Sequence, residues 1–162
     1  MCPADASGHG PDERLLPDLL ARASHALVQG FAEELRRRGT SLPVWRAMAA
    51  LLASPGRTVT GLAEACLLQQ PTMTKLLDRM VRDGLVMRSH DARDRRVQRI
   101  ALTPDGEARA TELMAAAERY EAQILARHPR AEGIRDILRD IIAGSGPAPH
   151  ARHGEGARGE GA

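Results

Sequence analysis

Residues 85–106 read LVMRSHDARDRRVQRIALTPDG, and no other stretch constrains the architecture as tightly. Leu85 to His90 is short and extended, and Val97 to Thr103 alternates, with Ile100 and Leu102 on one face. Between them lies Asp91-Ala92-Arg93-Asp94-Arg95-Arg96, a polar turn. Two short strands around such a turn predict a β-hairpin with a heavily basic tip. The stretch then closes on a helix start. Thr103 serves as N-cap, Pro104 takes the first helical position, and Asp105 and Glu107 lie near the positive end of the helix dipole.

Upstream the period is helical. Gln69-Gln70-Pro71 opens a helix that runs to about Asp83 and closes at Gly84, with Met73, Leu76, Leu77 and Met80 as its buried face. Before it, Thr60 can cap a short helix whose core side is Leu62, Ala63 and Cys66. Two short helices across a tight turn, the second exposing polar residues, match the helix-turn-helix pattern. Another helix begins after Ser41 with Pro43 in its first turn; its stripe is Trp45, Met48, Ala49 and Leu52, and Ser54-Pro55-Gly56 stops it. From about Asp12 to Arg38, Leu16, Leu20, Leu27, Phe31 and Leu35 recur at helical spacing up to Gly39.

Downstream, the helix from Pro104 runs to about His128, with Leu113, Ala117, Tyr120 and Ile124 spaced like a coiled-coil seam, and Pro129 breaks it. A last helix, Ala131 to Ala143, carries Ile134, Ile137, Leu138, Ile141 and Ile142. Residues 1–11 and 144–162 have no apolar periodicity and read as disordered tails. The segments 12–38 and 104–143 expose more apolar stripe than the module at 42–103 can cover, so they are expected to pack against a second copy of the chain.

Composition narrows the class. The 162 residues are 43% hydrophobic and 27% charged, which fits one domain with tails. Phe31, Trp45 and Tyr120 are the only aromatic residues, so the core must be aliphatic, which suits helices better than a β-sandwich. The longest apolar runs fall far short of the ~20 residues of a membrane span, and no signal peptide is expected. Cys2 and Cys66 cannot make a disulfide framework and fit a reducing cytoplasm. Residues 42–103 hold ten basic side chains against five acidic ones, while the whole chain carries only +2. A basic middle between acidic flanks is what a nucleic-acid surface looks like.

The order of helices, helix-turn-helix, basic hairpin and long C-terminal helices resembles the MarR family of winged-helix transcriptional regulators. The likeness is carried by Leu62-Ala63-Glu64, by residues 72–80 (TMTKLLDRM), by Asp83-Gly84-Leu85-Val86, by Asp91 to Arg96, and by Leu102-Thr103-Pro104-Asp105-Gly106; it spans about Leu15 to Ile142. It implies a mainly α fold with a small β-hairpin wing, a winged helix-turn-helix core flanked by N- and C-terminal dimerisation helices. The chain departs from the family pattern at Leu67, where the turn usually has glycine, at Gln69 in place of a serine cap, and at Pro71 in place of a small polar residue.

A recognition helix presents short polar or basic groups from its first turns to base edges. Gln70, Thr72, Thr74 and Lys75 lie there: glutamine can pair with adenine, threonine can bond or touch a thymine methyl, and lysine can reach guanine or phosphate. Arg79 is placed one turn on, for phosphate. The resemblance puts Arg93 of the wing in the minor groove with Asp91 buttressing it, and makes Arg95, Arg96 and Arg99 either backbone contacts or partners of Asp91 and Asp94. It further implies a homodimer on a pseudo-palindromic double-stranded operator. It places a small-molecule effector between the dimerisation helices and the core, with His25, Trp45 and Arg46 nearest by sequence, although the spacing of Trp45 and Met48 alone makes them core residues.

No cofactor, metal or membrane partner is expected. His150, His153 and Glu155 could touch a metal, but they lie in a tail. Nor is an enzyme indicated, since phosphate-cradling Gly-rich loops, HExxH, CxxC and an ordered Ser/His/Asp set are all missing. The main expectation is a ligand-released repressor. The alternatives are an effector-independent architectural DNA-binding protein and a cysteine-based redox sensor. Against the latter, Cys66 stands at a core position with no basic residue close in sequence.

Overall fold

The computed structural model describes residues 15–91, 94–131 and 133–144. Asp12, Arg93, His150, His153, Glu155, the lead at 1–11 and residues 145–162 lie outside them. The elements run α1 (Leu16–Arg37), α2 (Leu42–Ala53), α3 (Val59–Ala65), α4 (Gln70–Arg82), β1 (Val86–His90), β2 (Gln98–Leu102), α5 (Pro104–Arg127), a 3₁₀ turn (Pro129–Ala131) and α6 (Ile134–Gly144). The chain divides within α5 into two compact units, one up to Glu121 and one from Ala122.

In the first unit, periodicity becomes a core. Phe31 and Leu35 of α1, Met48 and Leu51 of α2, Leu62 of α3, Met73, Leu77 and Met80 of α4, Val86, Ile100 and Leu102 of the hairpin, and Leu113 of α5 are buried together. Each fully buried aliphatic side chain contributes about 1.5–3 kcal/mol. The hairpin is antiparallel with Val86 opposite Leu102 and His90 opposite Gln98. Arg57 adds a bridge to Ile100, so the loop between α2 and α3 edges the hairpin.

Two starts differ from expectation. α3 is capped by Thr58, whose Oγ1 accepts from the Gly61 N–H at 3.1 Å, and not by Thr60, which lies inside the helix. The chain is extended through the Arg57 bridge, so the first residue free to turn is Thr58. Downstream, Gly133 adopts φ +83°, α6 starts at Ile134 instead of Ala131, and it includes Gly144, which the sequence assigns to the tail. In this second unit α6 buries no residue, and Ile134, Ile137 and Ile142 are exposed. Among the described residues no helix is long and apolar enough to cross a membrane.

The start of α5 locks three elements together. Thr103 Oγ1 accepts from the Gly106 N–H at 3.0 Å and donates to the Gly84 carbonyl at 2.6 Å. A Cβ on Gly106 would lie 1.9 Å from the Leu85 carbonyl oxygen, so only glycine fits. The Leu-Thr-Pro-x-Gly run thus ties the end of α4 and the root of the hairpin to α5.

Candidate nucleic-acid interface

α4 owes its position to one buried stripe, Met73, Leu77 and Met80, which leaves Gln70, Pro71, Thr72, Thr74, Lys75, Asp78, Arg79 and Arg82 on its exposed side. It starts without a side-chain cap at Gln69. The turn before it is built despite the missing glycine. Leu67 adopts φ +56°, and Leu68 N–H reaches back to the Ala63 carbonyl at 2.9 Å, closing α3. The departure at Leu67 therefore costs strain rather than geometry.

Thr74 Oγ1 donates to the Gln70 carbonyl at 3.0 Å, which takes up its proton within the helix. Thr72, Lys75 and Arg79 border an open cleft of about 260 Å³ whose other side is Ser41 and Pro43 at the start of α2. Asp78 is drawn aside by Arg88 of β1 at 2.5 Å, an ion pair that joins α4 to the hairpin. Lys75 and Arg79 make no ion pair among the described residues.

The wing is shaped by its acids. Asp91 Oδ2 accepts from Arg99 Nε at 2.7 Å, and Arg99 Nη1 donates to the Gly56 carbonyl at 3.1 Å. Arg99 is thus a partner of Asp91, of the two roles the sequence left open. Asp91 Oδ1 also accepts from the Asp94 N–H at 3.3 Å, and Asp94 Oδ1 from the Arg96 N–H at 2.9 Å. His90 Nδ1 donates to the Arg95 carbonyl at 2.9 Å. These bonds use the carboxylates on backbone and on Arg99, so the guanidinium groups of Arg95 and Arg96 remain exposed and unpaired among the described residues.

The three aromatic residues gather in one cluster of the first unit. Phe31 meets Trp45 edge-on at 4.8 Å between centroids and Tyr120 at 5.4 Å. Tyr120 Oη donates to the Leu27 carbonyl at 3.1 Å and lies where a Cβ on Gly30 would be, 2.3 Å away. Trp45 Nε1 is buried and has no hydrogen-bond partner among the described residues. Arg46 is half-buried beside it in sequence, while His25 stands exposed on α1. Met48 is buried core, and Trp45 packs at the core's edge.

Cys66 is fully buried at the end of α3. Burial pushes its thiol up, and the charges of Arg46 and Arg57 pull the other way without prevailing. Neither arginine is close in sequence; the fold brings them near.

Comparison with known proteins fixes the family. The family model described as MarR family matches residues 38–97. The homoprotocatechuate degradative operon repressor of Escherichia coli is 32% identical over 128 residues, covering 76% of this chain and 85% of the relative. This chain belongs to the MarR family. The MarR family transcriptional regulator SPO1453 from Silicibacter pomeroyi DSS-3 shares the fold with a TM-score of 0.75 and 33% identity, covering 83% of this chain and 98% of that one. The transcriptional repressor CouR, solved bound to a 23-mer DNA duplex, is similar with a TM-score of 0.72 and 26% identity over 83% of this chain and 94% of its own. The helix-turn-helix and basic hairpin are accordingly the MarR winged helix, a DNA-binding fold of transcriptional regulators.

Proposed function

We propose that this MarR protein is a homodimeric repressor that binds a pseudo-palindromic operator and leaves it when a small aromatic ligand binds. The carrying observation is the charge arrangement. Lys75 and Arg79 on α4 and Arg95 and Arg96 on the wing are unpaired among the described residues, while Asp78, Asp91 and Asp94 are committed to internal bonds. Such a face suits a polyanion. Gln70, Thr72, Thr74 and Lys75 then face base edges, Arg79, Arg95 and Arg96 face phosphates, and Arg93 enters the minor groove beyond Asp91. Residues 42–103 are the DNA-binding core, and 12–38 with 104–143 join two copies through apolar side chains such as Leu16, Leu19, Leu27, Ile134 and Ile137 that one chain leaves exposed.

Selection from random duplexes tests the reading: a two-fold symmetric site with half-sites about one turn apart supports it, and enrichment of no sequence with purely salt-sensitive binding favours an architectural protein.

The effector half rests on Trp45. A buried indole N–H without an acceptor is costly by about 1–3 kcal/mol, and a ligand that brings an oxygen to a ring-lined site removes that cost. The Escherichia coli relative is named for an operon that degrades homoprotocatechuate. Trp45 is the single tryptophan, so its fluorescence reports binding directly. Titration with aromatic carboxylates should change it and release DNA in parallel; DNA affinity that no such ligand alters overturns the effector half alone.

A further inference from the structure

We infer that Pro71 and Thr74 form a methyl-reading patch, which makes the operator carry thymine at one or two fixed positions of each half-site. The inference rests on the DNA-binding reading above and names what the start of α4 selects there.

The position follows from helical geometry. At about 100° per residue, Pro71, Lys75 and Arg82 lie nearly opposite the stripe of Met73, Leu77 and Met80. Pro71 is therefore near the middle of the outward face, in the first turn of α4, and it is exposed. A residue there offers its side chain to whatever the helix docks against, and proline offers only ring carbons and no N–H. Thr74 is its i+3 neighbour on the helix surface. The Thr74 hydroxyl is exposed too, but its proton already goes to the Gln70 carbonyl at 3.0 Å. What Thr74 has left is a methyl group and an acceptor lone pair.

Pro71 and Thr74 together thus present a small, donor-poor, apolar spot. Lys75 stands beside it on the outward face, Arg79 and Arg82 follow about two to three turns further along α4, and the Asp78 carboxylate is held by Arg88 at 2.5 Å. These cations suit the phosphates that flank a base edge, and one proline ring with one methyl group is too little apolar surface to seat a membrane or a protein partner. On the major-groove edges of the four bases the one apolar group is the 5-methyl of thymine. The donors around the spot, Gln70 and Lys75, remain for the neighbouring bases.

The test uses the selected operator and replaces each thymine in turn by uracil, which removes only the methyl group. In the wild-type protein, one or two positions per half-site should weaken binding about threefold or more when so replaced, as expected for one methyl taken out of water. In Pro71→Ser or Thr74→Ser the same replacement should have lost its effect at the corresponding position. Thr74→Val, which keeps the methyl group, should retain it. Wild-type binding indifferent to uracil at every position overturns the inference without any variant having to fold. Sensitivity that survives unchanged in both serine variants, with their thermal melts intact, overturns it as well. Failure of the random-duplex selection to yield any site overturns instead the DNA-binding reading on which the patch depends.

Discussion

α4 and the wing are joined by the Asp78–Arg88 pair but are held by different physics. α4 stands on Met73, Leu77 and Met80, none with any exposed surface, and its orientation is set by packing that salt and pH scarcely touch. The tip of the wing between His90 and Gln98 has no buried residue among its described positions. Its shape comes from Asp91 with Arg99, from Asp94 with the Arg96 backbone, and from His90 with the Arg95 carbonyl. One element is fixed by volume and the other by charge. On the binding mode proposed above, the major groove is met by the part held by packing and the minor groove by the part held by charge.

The largest expected effect breaks the rigid half. Leu77→Ala should destabilise the protein by about 2–5 kcal/mol, because it leaves a cavity where α4 meets the core. A thermal melt should fall by ten degrees or so, and DNA binding should fail with it. A loss well under 1 kcal/mol would mean that α4 is not seated by packing.

Next comes the strain at the turn into α4. Leu67 holds φ +56° with its side chain 83% exposed, so its bulk contributes no burial and meets only the left-handed backbone penalty. Leu67→Gly should raise stability by about 1 kcal/mol, the steric relief exceeding the added chain entropy. Denaturant midpoints measure it; an unchanged or lower midpoint would show that the turn is not strained.

For the soft half, Arg99→Ala should cost under about 1 kcal/mol, since exposed ion pairs add little. Its DNA phenotype should be the larger one: weaker preference at the base pairs flanking each half-site, with the inner positions unchanged. Arg99→Lys, which cannot span Asp91 and Gly56 together, should repair it only in part. Equal loss at inner and flanking positions would show that α4 and the wing move as one body.

What the sequence revealed and what it hid divide along the same line. In α4 and in the alternation of Ile100 and Leu102 the reading and the structure agree within a residue or two, whereas the α2 stripe is shifted: Leu52 is exposed, and Ala47 and Leu51 are buried with Met48. The other misplacements come where geometry between distant segments decides. Thr58 and Thr60 are equivalent caps until the Arg57–Ile100 bridge fixes where the chain turns. Arg99 had two partners on paper, and the register that sets Asp91 one step beyond His90 and diagonal to Arg99 chose one. Among the candidate site residues, Gln70 to Arg79 were legible because a helix face follows from periodicity. The committed state of the Thr74 hydroxyl, the open indole N–H of Trp45 and the pair of arginines around Cys66 were not, since each depends on three-dimensional neighbours.

Cys66 gives the smallest effect and a direct look at the packed half. Its thiol is raised by burial, with Arg46 and Arg57 opposing. A group whose folded value lies above its unfolded one stabilises the fold fully at low pH and loses that contribution as pH rises past the unfolded thiol value of about 8.5. Stability of the wild type should therefore fall more steeply above that pH than stability of Cys66→Ala, whose melt is lower throughout but lacks the added slope. Alkylation mapped to Cys66 should proceed only as fast as the core opens, because a protonated, enclosed thiol is a poor nucleophile. If Cys66 instead reacts rapidly in the native protein at neutral pH, the arginines outweigh burial, and oxidation at the base of α3 becomes a route to loosening α4 itself.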